Sequence, residues 1–402
     1  MGHLNDSTTD PVKVIDPVQP DQWPDNTPAG IRRYLSEVAR AGPPHFVENA
    51  QGVAAEILRV GQTVLPVLVS DGGAGKASIL SPFAHHIRYP IDEISRNSAY
   101  LSGLLLRILL SPLSLFLKAG KLDRVVLLNH WLMSGSPEPD VPPSLWPEVI
   151  ACLGQRYPTH AIVLQDIKPS LEAERATALK AAGGVFVPTR LVNIIDPQDK
   201  LSGAKNKKKR YARNVARRHY IDTAGQLMSH AETRAQVERI CQLYRHSNIE
   251  RHSGLNPVYT PAFFDLTFDC GEFRWQAWPQ ETTDQIAAFN LQRLDDKFIH
   301  WSTFGAEEPD ADADHPDHSL YERVAATDLA VAEETGLLLD WGGGAMEFKK
   351  LRGAAIHAQY EVVFTAHLHP WRRAVWAVLA WLRKKRLHQL DPSGKASGAT
   401  AF

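Results

Sequence analysis

Leu337-Leu338-Leu339-Asp340-Trp341-Gly342-Gly343-Gly344, followed by Glu347-Phe348-Lys349-Lys350-Leu351-Arg352-Gly353-Ala354, decides how this chain is read. Upstream, Ser319 to Glu334 places Leu320, Val324, Leu329 and Val331 on an apolar side and stops at Gly336, which predicts a helix. The leucine run predicts a short strand ending in Asp340. Three glycines then let the backbone turn sharply and approach something closely, and a short helix with two lysines follows. Helix, strand, glycine turn and cationic helix together hold a polar ligand at the end of a strand.

Working outward, Phe273 to Trp278, Gln285 to Leu294 and Lys297 to Phe304 read as strands, with Asp295-Asp296 as a hairpin turn. Thr233 to His252 and Pro261 to Phe268 read as helices, and Gln359 to Phe364 as a last strand. The first half repeats the order. Thr63 to Val69, Ala77 to Tyr89, Arg124 to Trp131, Ala161 to Gln165 and Val185 to Ile195 read as strands, with Ser70 to Gly75 as a turn. Pro143 to Arg156 and Ser170 to Ala182 read as helices, the second N-capped by Ser170. The divisions expected are a disordered segment 1–27, an N-terminal unit 28–198, a basic linker helix 199–219, a C-terminal unit 220–387 with a terminal amphipathic helix, and a loose tail 388–402. The expected fold class is α/β (α+β), two units each built on a mixed, mainly antiparallel sheet flanked by helices.

The 402 residues suffice for two domains, and 44% hydrophobic with 22% charged residues is a globular composition. A net charge of −1 argues against a polyanion binder as a whole. Three dispersed cysteines argue against a disulfide framework or structural zinc and fit a reducing compartment. The N-terminus has no basic patch and apolar core, so no signal peptide is expected; the expected location is cytoplasmic, with peripheral membrane contact left open. Tyr100 to Leu117 is apolar, but Arg107 and Pro112 interrupt it, so it reads as a buried or half-exposed helix pair or an interfacial contact. Trp371 to Leu387 is an apolar helix with cations at both ends, which either caps the second unit or lies on an anionic membrane.

Two motifs fail on inspection. Gly72-Gly-Ala-Gly-Lys76 lacks the first glycine and the Ser or Thr of a phosphate loop, and reads as a hairpin turn. Asp310-Ala-Asp312-Ala-Asp314-His315 lacks the glycine and the closing glutamate of a calcium loop, so no metal site is assigned. His85-His86 and Asn129-His130 read as hydrogen-bonded residues at strand edges. Lys200 to Arg218 holds nine cations and no acid. Arg210, Arg213, Asn214 and Arg217 share one face if it is helical. It is either a solvated linker or a polyanion contact.

The segments Lys205–Arg218, Ser319–Gly336 and Leu339–Ala354 together resemble the GCN5-related N-acyltransferase (GNAT) superfamily, in its Fem-type and CelD-like branch, which often carries two such folds in tandem. The resemblance covers about residues 200 to 365. It implies an acyltransferase that moves an acyl or aminoacyl group from acyl-CoA, a carrier-protein thioester or aminoacyl-tRNA to an amine or hydroxyl of a small molecule or peptide. No permanently bound cofactor is implied; acyl-CoA or aminoacyl-tRNA would be the co-substrate. On this reading His300, Tyr321 and Asp340 are catalytic candidates. Gly342, Gly343, Gly344, Lys349 and Lys350 would bind the donor, and Lys207, Lys208, Lys209, Arg210, Arg213 and Arg217 a polyanion such as tRNA. The loop from Gly305 to His318 carries six acids, which would repel a pyrophosphate. The alternative is a non-catalytic protein of this fold that binds a polyanion or an anionic membrane.

Overall fold

The computed structural model describes residues 11–73, 75–97, 112–201, 204–223, 226–307 and 320–390. Its strands form one sheet of eleven, in the order β1-β2-β3-β4-β5-β11-β6-β10-β9-β8-β7. They are β1 (Val12–Ile15), β2 (Val53–Val60), β3 (Thr63–Asp71), β4 (Arg124–Leu128), β5 (Ala161–Ile167), β6 (Val185–Ile195), β7 (Phe273–Pro279), β8 (Ile286–Leu294), β9 (Phe298–Ala306), β10 (Leu338–Asp340) and β11 (Ala355–Phe364). Among the described residues, only β4 with β5 and β9 with β10 pair in parallel. The chain is therefore a mixed α/β protein on a mainly antiparallel sheet.

The two halves generate that sheet by the same succession. β2, β3 and β4 are antiparallel neighbours, a helix follows (Trp146–Arg156), β5 lies parallel to β4, and a second helix (Ala173–Ala181) leads into β6. In the second half β7, β8 and β9 are antiparallel, helix Leu320–Thr335 follows, β10 lies parallel to β9, and helix Met346–Leu351 leads into β11. The final strands then cross over. β11 pairs with β5, β6 pairs with β10, and β6 and β11 pair with each other from Val185↔Val363 to Ile194↔Ala355. Each half thus lends its last strand to the other.

The apolar pattern of the strands decides which helices cover them. On one face, Tyr34, Leu35 and Val38, Ile240, Phe263, Phe264, and Val375, Trp376 and Leu379 join Leu68, Val125, Leu127, Phe289 and Leu291 in a core that spans both halves. On the other, Trp146, Val149, Leu153 and Leu179 cover Val126, Leu128, Ile162 and Leu164. Ala325, Leu329 and Ala332, with Ala216 of helix Lys207–Thr223, cover Ile299, Leu339 and Ile195.

Several expectations are corrected. Residues 11–27 are part of the fold: β1 pairs with β2, and Val12, Ile15 and Trp23 are buried. The alternation of Val12-Lys-Val-Ile15 is enough for an edge strand inside a polar, proline-rich stretch. Ala77 to Tyr89 is not a strand, and Gly72–Lys76 closes no hairpin. Ser78–Leu80 is a helical turn, and Ala84–Arg88 runs into helix Tyr89–Asn97. Ser81 Oγ accepts from Ala84 N–H at 2.9 Å ahead of Pro82, a helix-start pair. His85 and His86 therefore stand on a helix. Ser170 caps nothing. Its helix begins at Ala173 without a side-chain cap, and its hydroxyl meets His357 Nδ1 at 2.8 Å. The helix read over Thr233–His252 is three pieces, His230–Arg234, Val237–Tyr244 and Arg245–Glu250. The terminal helix runs from Pro370 to Leu390. Residues 1–10, most of the Tyr100–Leu117 run, 308–318 of the acidic loop and 391–402 of the tail lie outside the described residues.

Candidate functional site

β10 is three residues long and ends where its neighbours continue. Asp340 is level with His300 on β9 and with Ile194 on β6. β9 continues beyond His300, with a register shift against β8 between Leu291 and Gln292. The wedge beside β10 is filled by rings: Tyr321 lies 5.8 Å from both Trp301 and Phe304 and 5.1 Å from Phe348.

Asp340 is the hub. Its Oδ1 accepts Gly342 N–H at 2.9 Å, which starts the glycine turn. Its Oδ2 lies 2.9 Å from Lys168 Nζ and 3.9 Å from His300 Nδ1. The other ring nitrogen, Nε2, is 3.0 Å from Asp295 Oδ2. This line of Lys168, Asp340, His300 and Asp295 is almost wholly buried. Burial works against the Asp340 carboxylate, but Lys168 and His300 outweigh it and hold the group at about 2. Asp295 is likewise held below the usual carboxylate range: burial opposes, and His300 with the Phe298 and Lys297 amides prevails. Burial also disfavours the Lys168 cation, yet Asp340, Glu172 and Asp166 raise it.

The turn after Asp340 is clamped from both halves. Asn193 of β6 donates its N–H and its side-chain amide to Gly342 O, both at 2.9 Å, and Trp341 N–H donates to Asn193 O at 3.0 Å. Gly342 and Gly344 have φ of +62° and +71°, and a Cβ added to either meets nothing within 4 Å. The turn is therefore open outward. Lys349 closes it from inside, donating to Trp341 O and Gly343 O at 2.7 Å each. Burial brings Lys349 down to about 8, with Arg190 adding to the effect while Asp340 and Asp328 oppose it. Lys350 faces solvent and pairs with Glu347 at 2.9 Å.

Not all the expected residues meet. His300, Asp340, the three glycines and Lys349 are brought together. Tyr321 belongs to the ring cluster, and burial lifts its phenol to about 12. Arg213 of the basic helix is turned inward onto the carbonyls of Arg352, Asp199 and Asp196. Gly353 has φ +97°, which accounts for the glycine there, and Arg213 Nη2 lies 2.8 Å from where a Cβ would stand. Arg217 forks onto Glu333, and Arg210 donates to Leu201 O at 2.6 Å. Lys207 and Lys208 are exposed and Lys209 half-buried. Asn129, His130 and His86 are hydrogen-bonded inside the fold, as expected of them: to Pro137 O, to Ile79 O, and to Glu361 Oε1 at 2.6 Å.

No family model matches the sequence, and no curated protein does. Among solved structures the chain is similar to L-PGS from Bacillus licheniformis, at 13% identity and a TM-score of 0.39 over 64% of this chain and 82% of that one. It is similar to FemX at 11% and 0.35, over 86% and 92%. A tandem GNAT protein from the clavulanic acid biosynthesis pathway follows at 10% and 0.34, over 86% and 90%.

Residues missed by the sequence reading complete the site. Lys168 follows β5, and Arg190 lies on β6. Arg190 is exposed and donates to Ser134 Oγ at 3.0 Å and Gln359 Oε1 at 3.3 Å. Asp166, at φ +64°, accepts from the N–H groups of Gly135 and Ser136 at 3.1 and 2.9 Å, and from Gln359. Gly135 is glycine because a Cβ there would lie 2.9 Å from His300 Cβ. Asp328 is wholly buried and accepts from Trp341 Nε1, Asn290 Nδ2 and Gln292 Nε2 at 2.8, 2.6 and 2.5 Å. Burial raises it to about 7 against those three donors. The sole signal for Lys168 was the polar Asp166-Ile167-Lys168-Pro169 at the end of an apolar strand, the same pattern that drew attention to Asp340.

Proposed function

We propose that the chain transfers an acyl or aminoacyl group from an activated donor to an amine or hydroxyl acceptor at the C-terminal end of β10. The observation that carries this reading is Asp340, ending a strand beside an open glycine turn, with Lys168 and His300 both at its Oδ2. The carboxylate would orient an acceptor amine. The amine nitrogen bonds to the donor carbonyl carbon, the donor carbon–sulfur or carbon–oxygen bond breaks, and the leaving group takes up a proton. Asp295 faces Nε2 of His300 at 3.0 Å and Asp340 faces Nδ1 at 3.9 Å, so the ring stands where it can carry the acceptor's proton towards the leaving group. Backbone approach at Gly342 and Gly344 and the exposed guanidinium of Arg190 suit the anionic part of a donor. Lys349 serves by holding the turn, since its amine is bound to two of the turn's carbonyls.

Residues 28–198 and 220–387 would be two GNAT-like units joined through 199–219. The exposed Lys207 and Lys208 support an aminoacyl-tRNA donor over a small thioester.

The test is acyl transfer from labelled acetyl-CoA, a longer acyl-CoA and aminoacyl-tRNA to a panel of amines. Asp340→Asn should lower turnover by roughly a hundredfold or more, and Arg190→Ala should raise KM for the donor. No product from any donor, or full turnover in Asp340→Asn, would overturn the proposal.

A further inference from the structure

The helix Pro370–Leu390 packs on the sheet through Val375, Trp376, Leu379 and Ala380, which are buried. Its opposite side carries Trp371, Ala374, Val378, Trp381 and Lys385, which recur at helical spacing and so share one stripe. Trp371 is 47% exposed and Trp381 55%. Two tryptophans left this open on one helix face are uncommon on a surface with no partner. Leu115, 66% exposed, extends the patch: the ring of its neighbour Phe116 meets Trp371 edge-on at 5.0 Å. In the sequence, Leu115 belongs to the apolar run that begins at Tyr100.

The helix cannot roll to hide this stripe. Arg372 donates inward to the carbonyls of Gly120 and Lys121 at 3.0 Å and of Arg124 at 3.3 Å. Arg383 donates to Pro188 O at 2.9 Å and to Thr189 O. These contacts fix the helix at both ends. Of the six Lys and Arg residues on it, the other four (Arg373, Lys384, Lys385 and Arg386) are exposed, and the helix has no acidic residue. Lys385 Nζ sits 3.9 Å over the Trp381 ring, so cation and aromatic share one surface.

We propose that this face docks the protein on an anionic lipid bilayer, with Trp371 and Trp381 at the headgroup level and the four exposed cations against lipid phosphates. Amphipathic tryptophan rings prefer that depth, and cations beside them add attraction to anionic lipid. The helix has no acidic residue, so a second copy of this face would offer its exposed cations no counter-charge, whereas anionic lipid does. The other side of the helix is buried on the sheet at Val375, Trp376, Leu379 and Ala380, so this face would meet the bilayer at its surface. This inference is independent of the transfer reaction.

The experiment is sedimentation of the full chain with vesicles of phosphatidylcholine alone or mixed with phosphatidylserine. Binding only to the mixed vesicles, weakened by salt, is expected. Trp381→Ser and the pair Lys384→Glu/Lys385→Glu should each lower partition about tenfold or more. The charge pair lies wholly on the surface, so it tests the face even if the tryptophan variant folds poorly. Protein left in the supernatant with anionic vesicles would overturn the proposal, as would binding unchanged by the charge pair. A dimer lost in Trp381→Ser, without vesicle binding, would instead assign the face to a second copy.

Discussion

Lys168 Nζ lies 2.9 Å from Asp340 Oδ2, although β11 and β6 stand between the strands that these residues terminate. The contact exists because β5 and β10 run antiparallel to one another across the exchanged pair, so their carboxyl ends converge over it. A cation from the first half thereby sets the charge of the central carboxylate in the second.

Breaking this pair by removing one member leaves the other charge buried without compensation. Lys168→Met should therefore destabilise the fold by about 3–5 kcal/mol. The double variant Lys168→Met/Asp340→Asn should recover part of the loss. Urea unfolding of the three proteins measures it, and equal stability of the single variant and wild type would remove the pair from any structural role.

The pH dependence on the acid side follows from the same carboxyl. Asp340 titrates lower in the folded chain, at about 2, than in the unfolded chain. Its stabilising effect is thus present above the ordinary carboxylate range and is lost as pH falls toward 2. The stability difference between wild type and Asp340→Asn should shrink steadily from pH 5 downward in chemical denaturation.

Asp328 predicts the opposite slope. Its folded value, about 7, is raised above the unfolded one, so the folded chain holds a proton that the unfolded chain releases. Wild type should lose stability relative to Asp328→Asn as pH rises from about 4 to 7, by roughly 1.4 kcal/mol per pH unit at most, and the difference should level off above 7. Thermal unfolding of both proteins across that range reads the sign directly.

The exchanged strands predict mutual dependence. Without the second half, β5 lacks β11 and β6 lacks its two neighbours; without the first, β10 lacks β6. Residues 11–200 and 201–390 expressed separately should fail to give cooperative unfolding, and mixing them during refolding should restore it. Two halves that each unfold cooperatively on their own would show that the exchange is dispensable.

Local chemistry made much of this legible in advance. The run Leu337–Asp340, the glycine turn and the helix bearing Lys349 all appear where their pattern puts them, because a strand, a turn and a short helix are written in neighbouring residues. Ser81-Pro82 was equally local, yet Ala77 to Tyr89 reads as a strand; the Ser81 hydroxyl caps a helix there instead. What Lys349 touches was decided by tertiary structure: its amine donates to Trp341 O and Gly343 O in the turn that it was expected to flank. Arg213 and Arg217 likewise looked free in a run without acids, and found Arg352 O and Glu333 elsewhere in the fold.

By itself the sequence determined the order of strands and helices in the second half, the position of Asp340 at a strand end and the flexible glycines after it, since each rests on periodicity or on the backbone freedom of nearby residues. The tertiary structure alone decided that the two halves share one sheet by trading their last strands. It alone brought Lys168, Asn193 and Arg190 to a turn more than a hundred residues away. Strand pairing across such a separation depends on which hydrogen-bonding edges are left open once each half has formed, and no stretch of neighbouring residues encodes that.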